Sequence, residues 1–309
     1  MKSINTNTNV FTGAGDVSHS IKEGMKIFSE LIKFRITALV SFTTGLGYIL
    51  AANEITFTLF YVIAGIFLLA CASSALNHWQ ERDTDALMDR TKYRPIPSGR
   101  IEANSALWTA LGLLLSGSVL LLITTNVMTF AVGIFTFFWY NGVYTPLKRK
   151  SAFAIIPGAL VGALPPVAGW AAAGGNIADI RIIIIASYFF IWQIPHFWLL
   201  LMLYGSDYEK GGFPTLNKVF EKEQLKRITF MWLVGNVMAA MMIPLFLYIN
   251  YSLSIYLLVV ISAWMIFVSM KFLRSDAQRN EIRNTFIAIN FYTLLLITLL
   301  SFDKLIKVF

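Results

Sequence analysis

Asn77-His78-Trp79-Gln80-Glu81-Arg82-Asp83-Thr84-Asp85-Ala86-Leu87-Met88-Asp89-Arg90-Thr91-Lys92-Tyr93-Arg94-Pro95 follows directly on an apolar run that begins near residue 57. Asn77, Glu81, Asp85 and Asp89 are four apart, and residues at i and i+4 share one helix face. A helix leaving a bilayer here would carry a stripe of oxygen donors just past its apolar part. Like charges at that spacing destabilise a bare helix. The same oxygens suit a hard cation such as Mg²⁺, which keeps positions for water and phosphate. Asn77 to Asp89 spans roughly 18 Å at 1.5 Å per residue, so one ion cannot touch all four. Asn77, Glu81 and Asp85 are therefore assigned to the metal, and Asp89 to an outer position or a neighbouring Arg. Asp83 points off the stripe. The competing reading is a solvated helix end of mixed charge.

The composition agrees with a bilayer origin for this helix. Of 309 residues, 57% are hydrophobic and 14% charged, where a soluble domain carries about 25% charge. The net charge of +8 would suggest nucleic acid in a soluble chain. Here the cations sit in short loops between apolar runs, so membrane topology accounts for them, and no nucleic-acid partner is expected. The single cysteine, Cys71, excludes an intrachain disulfide framework and a CxxC site.

Runs of about 20 apolar residues mark membrane helices. They fall at 33–52, 57–77, 104–124, 127–146, 153–173, 182–204, 229–250, 253–272 and 286–302. The expectation is an all-α polytopic membrane protein of about nine transmembrane helices around a central cavity. With the N-terminus inside, 22 of the 25 Lys and Arg residues fall on the inner side, as positive-inside sorting requires. Of 17 acids, 14 also fall inside. Sorting does not demand that, so their placement points to function. Residues 1–24 are polar and lack the pattern of a signal peptide, and they read as a disordered cytoplasmic tail. Residues 25–309 read as one transmembrane domain.

Further polar sites flank the same face. Arg90, Lys92 and Arg94 follow the stripe at once, and Arg is suited to bidentate phosphate contact. Tyr144-Thr145-Pro146-Leu147-Lys148-Arg149 closes the fourth span, with Tyr144, Lys148 and Arg149 as phosphate donors or plain interfacial anchors. Asp207 opens the loop after the sixth span, four helices on from the first stripe, so both acidic segments lie on one membrane face. His196 lies inside the sixth span beside Pro195. An ionisable residue there is a functional-site hypothesis by default, with a hydrogen bond across helices as the alternative.

In these segments the chain resembles the UbiA superfamily of intramembrane prenyltransferases, and within it the heme-farnesylating branch. The superfamily's Asn-x3-Asp-x3-Asp pattern corresponds to Asn77, Glu81 and Asp85, its Tyr-x3-Lys to Tyr144 and Lys148, and its second Asp motif to Asp207. The branch shows in Asp89-Arg90-Thr91-Lys92-Tyr93-Arg94-Pro95, in Pro195-His196-Phe197-Trp198, and in Asp207-Tyr208 followed by Gly212-Phe213-Pro214. Glu81 stands where the superfamily has Asp, Gly211 where a second Asp of an Asp-x3-Asp motif would be, and Phe34 where Pro would be.

The resemblance implies Mg²⁺ as cofactor, with Asn77, Glu81, Asp85 and Asp207 as catalytic and metal-binding residues. It implies diphosphate contacts from Arg90, Lys92, Arg94, Tyr144, Lys148 and Arg149, and a heme contact from His196. The implied substrates are farnesyl diphosphate and heme b, giving heme O for terminal oxidases. The implied surroundings are membrane lipid and a downstream heme A synthase, in the inner membrane with the active site on the cytoplasmic side. A quinone precursor as acceptor is the nearest alternative. A heme or cation transporter is the alternative of another class, but transporters gather ionisable groups near the bilayer midplane, and here the acids cluster at one interface. The Asp-Gly-x2-Ala-Arg lead-in of CDP-alcohol phosphotransferases is absent.

Overall fold

In a bilayer every backbone polar group must be satisfied within the protein, and a helix does this inside one segment. The computed structural model describes residues 13–276 and 278–308. Helices α1 (Gly13–Leu31), α2 (Phe34–Ala51), α3 (Thr58–Asp85) and α4 (Ala103–Thr124) come first. The short helix α5 (Val127–Phe138) continues through a π-helical turn, Trp139–Tyr144, into α6 (Thr145–Leu147). Then follow α7 (Ile155–Ala172), α8 (Ile180–Lys210), α9 (Lys222–Phe246), α10 (Ser252–Arg274) and α11 (Arg279–Val308). Among the described residues nine helical segments are long and apolar enough to cross a membrane, with α5, the π turn and α6 counting as one. The chain is all-α and polytopic.

The helix ends differ from the apolar runs. α3 continues to Asp85 rather than ending at 77, and α8 to Lys210 rather than 204. α9 begins at Lys222 rather than 229, and α11 at Arg279 rather than 286. Hydropathy locates the part in lipid, whereas the hydrogen-bond ladder runs on until a turn or a capping group ends it. At α9 that group is a capping box between Glu221 and Gln224. Of the expected tail, residues 1–12 lie outside the described residues, and from Gly13 the chain is helical.

α3 packs along α4, α2 along α7, and α8 along both α7 and α9, while α11 touches α2 and α8. Small residues let membrane helices approach closely. A Cβ on Gly47 of α2 would lie 1.9 Å from the Pro166 carbonyl oxygen, and one on Gly169 of α7 would lie 1.9 Å from the Thr44 carbonyl oxygen. The α2–α7 contact is thus backbone against backbone. One apolar cluster gathers Trp170, Tyr188, Leu199 and Tyr292, and a second gathers Tyr48, Ile66, Leu121 and Val132. Outward-facing Leu115, Ile123, Leu245 and Phe267 are exposed, as lipid-facing positions should be.

Three local departures shape the site. The break between α1 and α2 puts Lys33 in the left-handed region, φ 49, an uncommon place for a residue with a Cβ. The π turn re-aims Tyr140 and Tyr144, and such turns recur at functional sites. In α8, Pro195 sits inside the helix and Tyr204 leaves helical geometry at φ −129, ψ 15.

Candidate active site

A cavity of about 310 Å³ opens between α2, α3, α5, α7 and α8. Its polar end carries Asn77, Glu81, Asp85, Lys33, Arg94 and Lys148. Next come aromatic walls, with Tyr140, Tyr144, Phe197, Tyr208 and Phe213. Its depth is apolar, lined by Val40, Ile66, Leu69, Phe137 and Pro165.

The α3 stripe forms as its spacing requires, up to Asp85. Asn77, Glu81 and Asp85 are all buried, Asp85 completely. A buried charge needs a partner, because its desolvation is repaid only by a close counter-charge and hydrogen bonds. The chain supplies its own. Arg94 Nη1 donates to Asp85 Oδ2 at 2.7 Å, Lys148 is ion-paired with Glu81, and Lys33 Nζ donates to Asn77 Oδ1 at 2.8 Å.

The second acidic segment behaves differently. Asp207 accepts the backbone N–H of Asp89 at 2.7 Å through Oδ1, and that of Arg90 at 3.2 Å through Oδ2. It ties the loop after α3 to the end of α8. Arg90 Nη2 also donates to the Tyr208 hydroxyl at 3.4 Å, and its guanidinium lies 5.6 Å from the Tyr204 and Tyr208 rings. Asp89 is paired with Lys92 at 2.8 Å and with Lys210. Both partners are lysines rather than the expected Arg. These two, Lys210 first, hold the Asp89 carboxyl down at about 2.

The sequence-derived residues therefore separate. Asn77, Glu81, Asp85, Arg90, Arg94, Tyr144 and Lys148 line one cavity. Lys92 lies on the outside of the loop, paired with Asp89. Arg149 donates to the Gln80 carbonyl rather than into the cavity. Asp207 does not join Glu81 and Asp85; among the described residues no group of three His, Cys, Asp or Glu could hold a metal ion. His196 stands behind the cavity wall, its imidazole 4.8 Å from both the Trp192 and Phe286 rings. His78 is buried beside Asn77. Asp83 is exposed and meets Arg82 at 3.7 Å.

Lys33, Tyr140, Tyr208, Phe213 and Gln193 also line the cavity, and sequence reasoning gave them no site role. Lys33 carried a signal, a cation beside the Phe34 departure at the start of the first span, and Tyr208 and Phe213 lie in motifs that carry the resemblance.

One buried carboxylate oxygen, Asp85 Oδ1, accepts no hydrogen bond among the described residues, and Glu81 Oε1 is held by the Lys148 ammonium alone. With the Asn77 amide they make a hard oxygen set at the cavity mouth. Such a set fits a divalent cation whose remaining positions come from water and phosphate.

Carboxylates and cations over an apolar slot define an intramembrane enzyme that handles an anionic head on an apolar tail. The chain belongs to the UbiA prenyltransferase family, whose profile matches residues 39–294. It is similar to the protoheme IX farnesyltransferase of Oleidesulfovibrio alaskensis, 36% identical over 225 residues, covering 73% of this chain and 79% of that one. It is also similar to the protoheme IX farnesyltransferase of Synechococcus sp., 33% identical over 287 residues, covering 91% and 85%. Its fold is shared with a structure of digeranylgeranylglyceryl phosphate synthase, with TM-score 0.73, 17% identity and coverage of 91% and 98%. A UbiA homolog from Archaeoglobus fulgidus bound to DMAPP and Mg²⁺ superposes with TM-score 0.68, 16% identity and coverage of 90% and 98%. The chain is a prenyltransferase.

Proposed function

We propose that this prenyltransferase moves the farnesyl group of farnesyl diphosphate onto a vinyl group of heme b, giving heme O for terminal oxidases. The observation that carries the reading is the pairing of Glu81 and Asp85 with Lys148 and Arg94 at the mouth of an apolar cavity. The names of the relatives support farnesyl diphosphate and heme as the substrates.

Asn77, Glu81 and Asp85 would hold Mg²⁺, whose chemistry there would be to stabilise charge on the leaving diphosphate. Arg94 and Lys148 would turn from the carboxylates, and Lys33 from the Asn77 amide oxygen, to the phosphate oxygens, placing several cations around developing negative charge. Tyr144 and Tyr140 face the reacting carbon with their rings, which suit an allylic cation. The farnesyl tail lies among Ile66, Leu69 and Val40. The acceptor takes the α7–α8 side, along Phe197 and Gln193, with His196 on that side of the cavity. Arg90 holds the loop over the mouth, Lys92 braces that loop from outside, and Arg149 braces α3 at the Gln80 carbonyl. Asp207 is proposed to keep the two loops together; the metal role expected for it requires its release from two backbone amides. The membrane is proposed to be the cell's inner membrane, with the N-terminus and the cavity mouth on the cytoplasmic side.

The test is to incubate purified protein with labelled farnesyl diphosphate, heme b and Mg²⁺. Label recovered in the porphyrin is the expected result, and label recovered only as unreacted donor or farnesol contradicts the reading.

A further inference from the structure

Trp192, Gln193 and His196 occupy one turn of α8, deep in the membrane-spanning part. Each carries a buried polar atom with no hydrogen-bond partner among the described residues: Trp192 Nε1, Gln193 Oε1 and His196 Nδ1. Pro195 in the same turn has no N–H, so it also removes the helical partner of the Ile191 carbonyl. Buried polar atoms are nearly always paired. A donor, an amide and an imidazole nitrogen left open within one turn make a site for a small hydrogen-bonding molecule, and water makes two to four such bonds.

Of the imidazole, Nδ1 is the buried nitrogen that no partner among the described residues reaches; unprotonated, it is an acceptor. Gln193, three residues back along the helix, is the member of the group that lines the cavity. α7 makes room for it at Gly162, where a Cβ would lie 1.7 Å from Gln193 Oε1.

We propose that Gln193 positions, and His196 deprotonates, the water that completes the transfer; this rests on heme b being the acceptor. The vinyl π pair forms a bond to the allylic carbon as the carbon–oxygen bond to diphosphate breaks, and the diphosphate leaves with the electron pair of that broken bond. The other vinyl carbon is left as a cation beside the porphyrin. A water oxygen bonds to that carbon and its proton passes to His196 Nδ1, giving a hydroxyl-bearing product, diphosphate and one proton. Without a positioned water, the same cation sheds a proton from the neighbouring carbon and yields an alkene lighter by one water. On this reading His196 contributes a base and not an axial ligand to the iron.

The experiment is mass spectrometry of the prenylated heme formed by Gln193→Leu, His196→Phe and Gly162→Ala. The third variant keeps both side chains but displaces the Gln193 amide. Among the products, the hydroxylated-to-alkene ratio should fall about a hundredfold in His196→Phe, the scale of general-base assistance, and should fall in the other two. Some prenylated heme should still form in all three, at a reduced rate where the acceptor side is altered, because the water step follows bond formation to farnesyl. A wild-type ratio in His196→Phe and Gln193→Leu overturns the proposal, and so does complete loss of donor consumption in all three with donor binding intact. Wild-type protein that leaves heme unprenylated overturns the acceptor reading instead, a separate and visible outcome.

Discussion

Lys148, just past the end of α6, is ion-paired with Glu81 on α3, so a carboxylate marked by its spacing for a metal holds one of the chain's own cations. Arg94 does the same for Asp85. On the proposed function, metal and diphosphate bound together would give each group a stronger partner: metal for the carboxylates, phosphate for the cations. Metal alone has to displace buried cations, so Mn²⁺ binding followed by electron paramagnetic resonance should tighten markedly when diphosphate is added. Equal affinity with and without diphosphate contradicts the exchange.

The stripe predicts a graded mutational series. Asp85→Ala and Glu81→Ala should each lower transfer at saturating Mg²⁺ by about a hundredfold or more, as removing a group that organises transition-state charge does. Asp83→Ala, at an exposed side chain paired only with Arg82, should stay near wild type. Equal losses at Asp83 and Asp85 contradict a one-face site.

Replacing cations should separate the cavity from its surroundings. Lys148→Gln and Lys33→Gln should raise the dissociation constant for farnesyl diphosphate, measured by calorimetry, while Arg149→Gln changes it little. Arg149 bonds to a backbone carbonyl, whereas the other two line the cavity. An Arg149 effect as large as that of Lys148 contradicts this division.

The bridge from Asp207 to the loop after α3 is open to hydrogen exchange. Asp207→Ala should speed exchange at the Asp89 and Arg90 amides by about tenfold or more, since bonds to a charged acceptor are the stronger class. In wild type the pairing of the Asp89 side chain with Lys210 and Lys92, on the same loop, should hold from pH 8 to 5. Asp89 is held at about 2 by Lys210 and Lys92, below its unfolded value near 3.9. Its pairing is therefore fully present above about pH 4 and is lost as the pH falls towards 2. Exchange unchanged in Asp207→Ala contradicts the bridge.

Packing makes its own prediction. Gly47→Ala and Gly169→Ala push a methyl into a neighbouring carbonyl and should cost about 1–3 kcal/mol each, read as a lower Tm in detergent. Gly112→Ala in α4, where a Cβ meets nothing within 4 Å, should be neutral or slightly stabilising. The reverse order contradicts the α2–α7 packing.

Much of this was legible because helices turn local spacing into shared faces. Asn77, Glu81 and Asp85 lie on one segment, so their convergence needs no knowledge of the fold. Lys33 and Lys148 reach the stripe from other helices, and only tertiary packing shows that one meets Asn77 and the other Glu81. The metal role expected of Asp207 came from the resemblance, which matches it to the family's second Asp motif. In the structure Asp207 accepts from backbone N–H groups 118 and 117 residues away, which no side-chain pattern records. Gln193 was invisible for a related reason: its significance lies in a buried atom without a partner, a property of packing.

The most direct test of the central claim is acceptor competition. Purified protein receives labelled farnesyl diphosphate and Mg²⁺ with equal amounts of heme b and a hydroxybenzoate quinone precursor, and both acceptors are recovered and counted. The expected result is label in the porphyrin, abolished by Asp85→Ala and by chelation of Mg²⁺. Label in the aromatic acid with none in heme would contradict the assignment of the acceptor while leaving the chain a prenyltransferase.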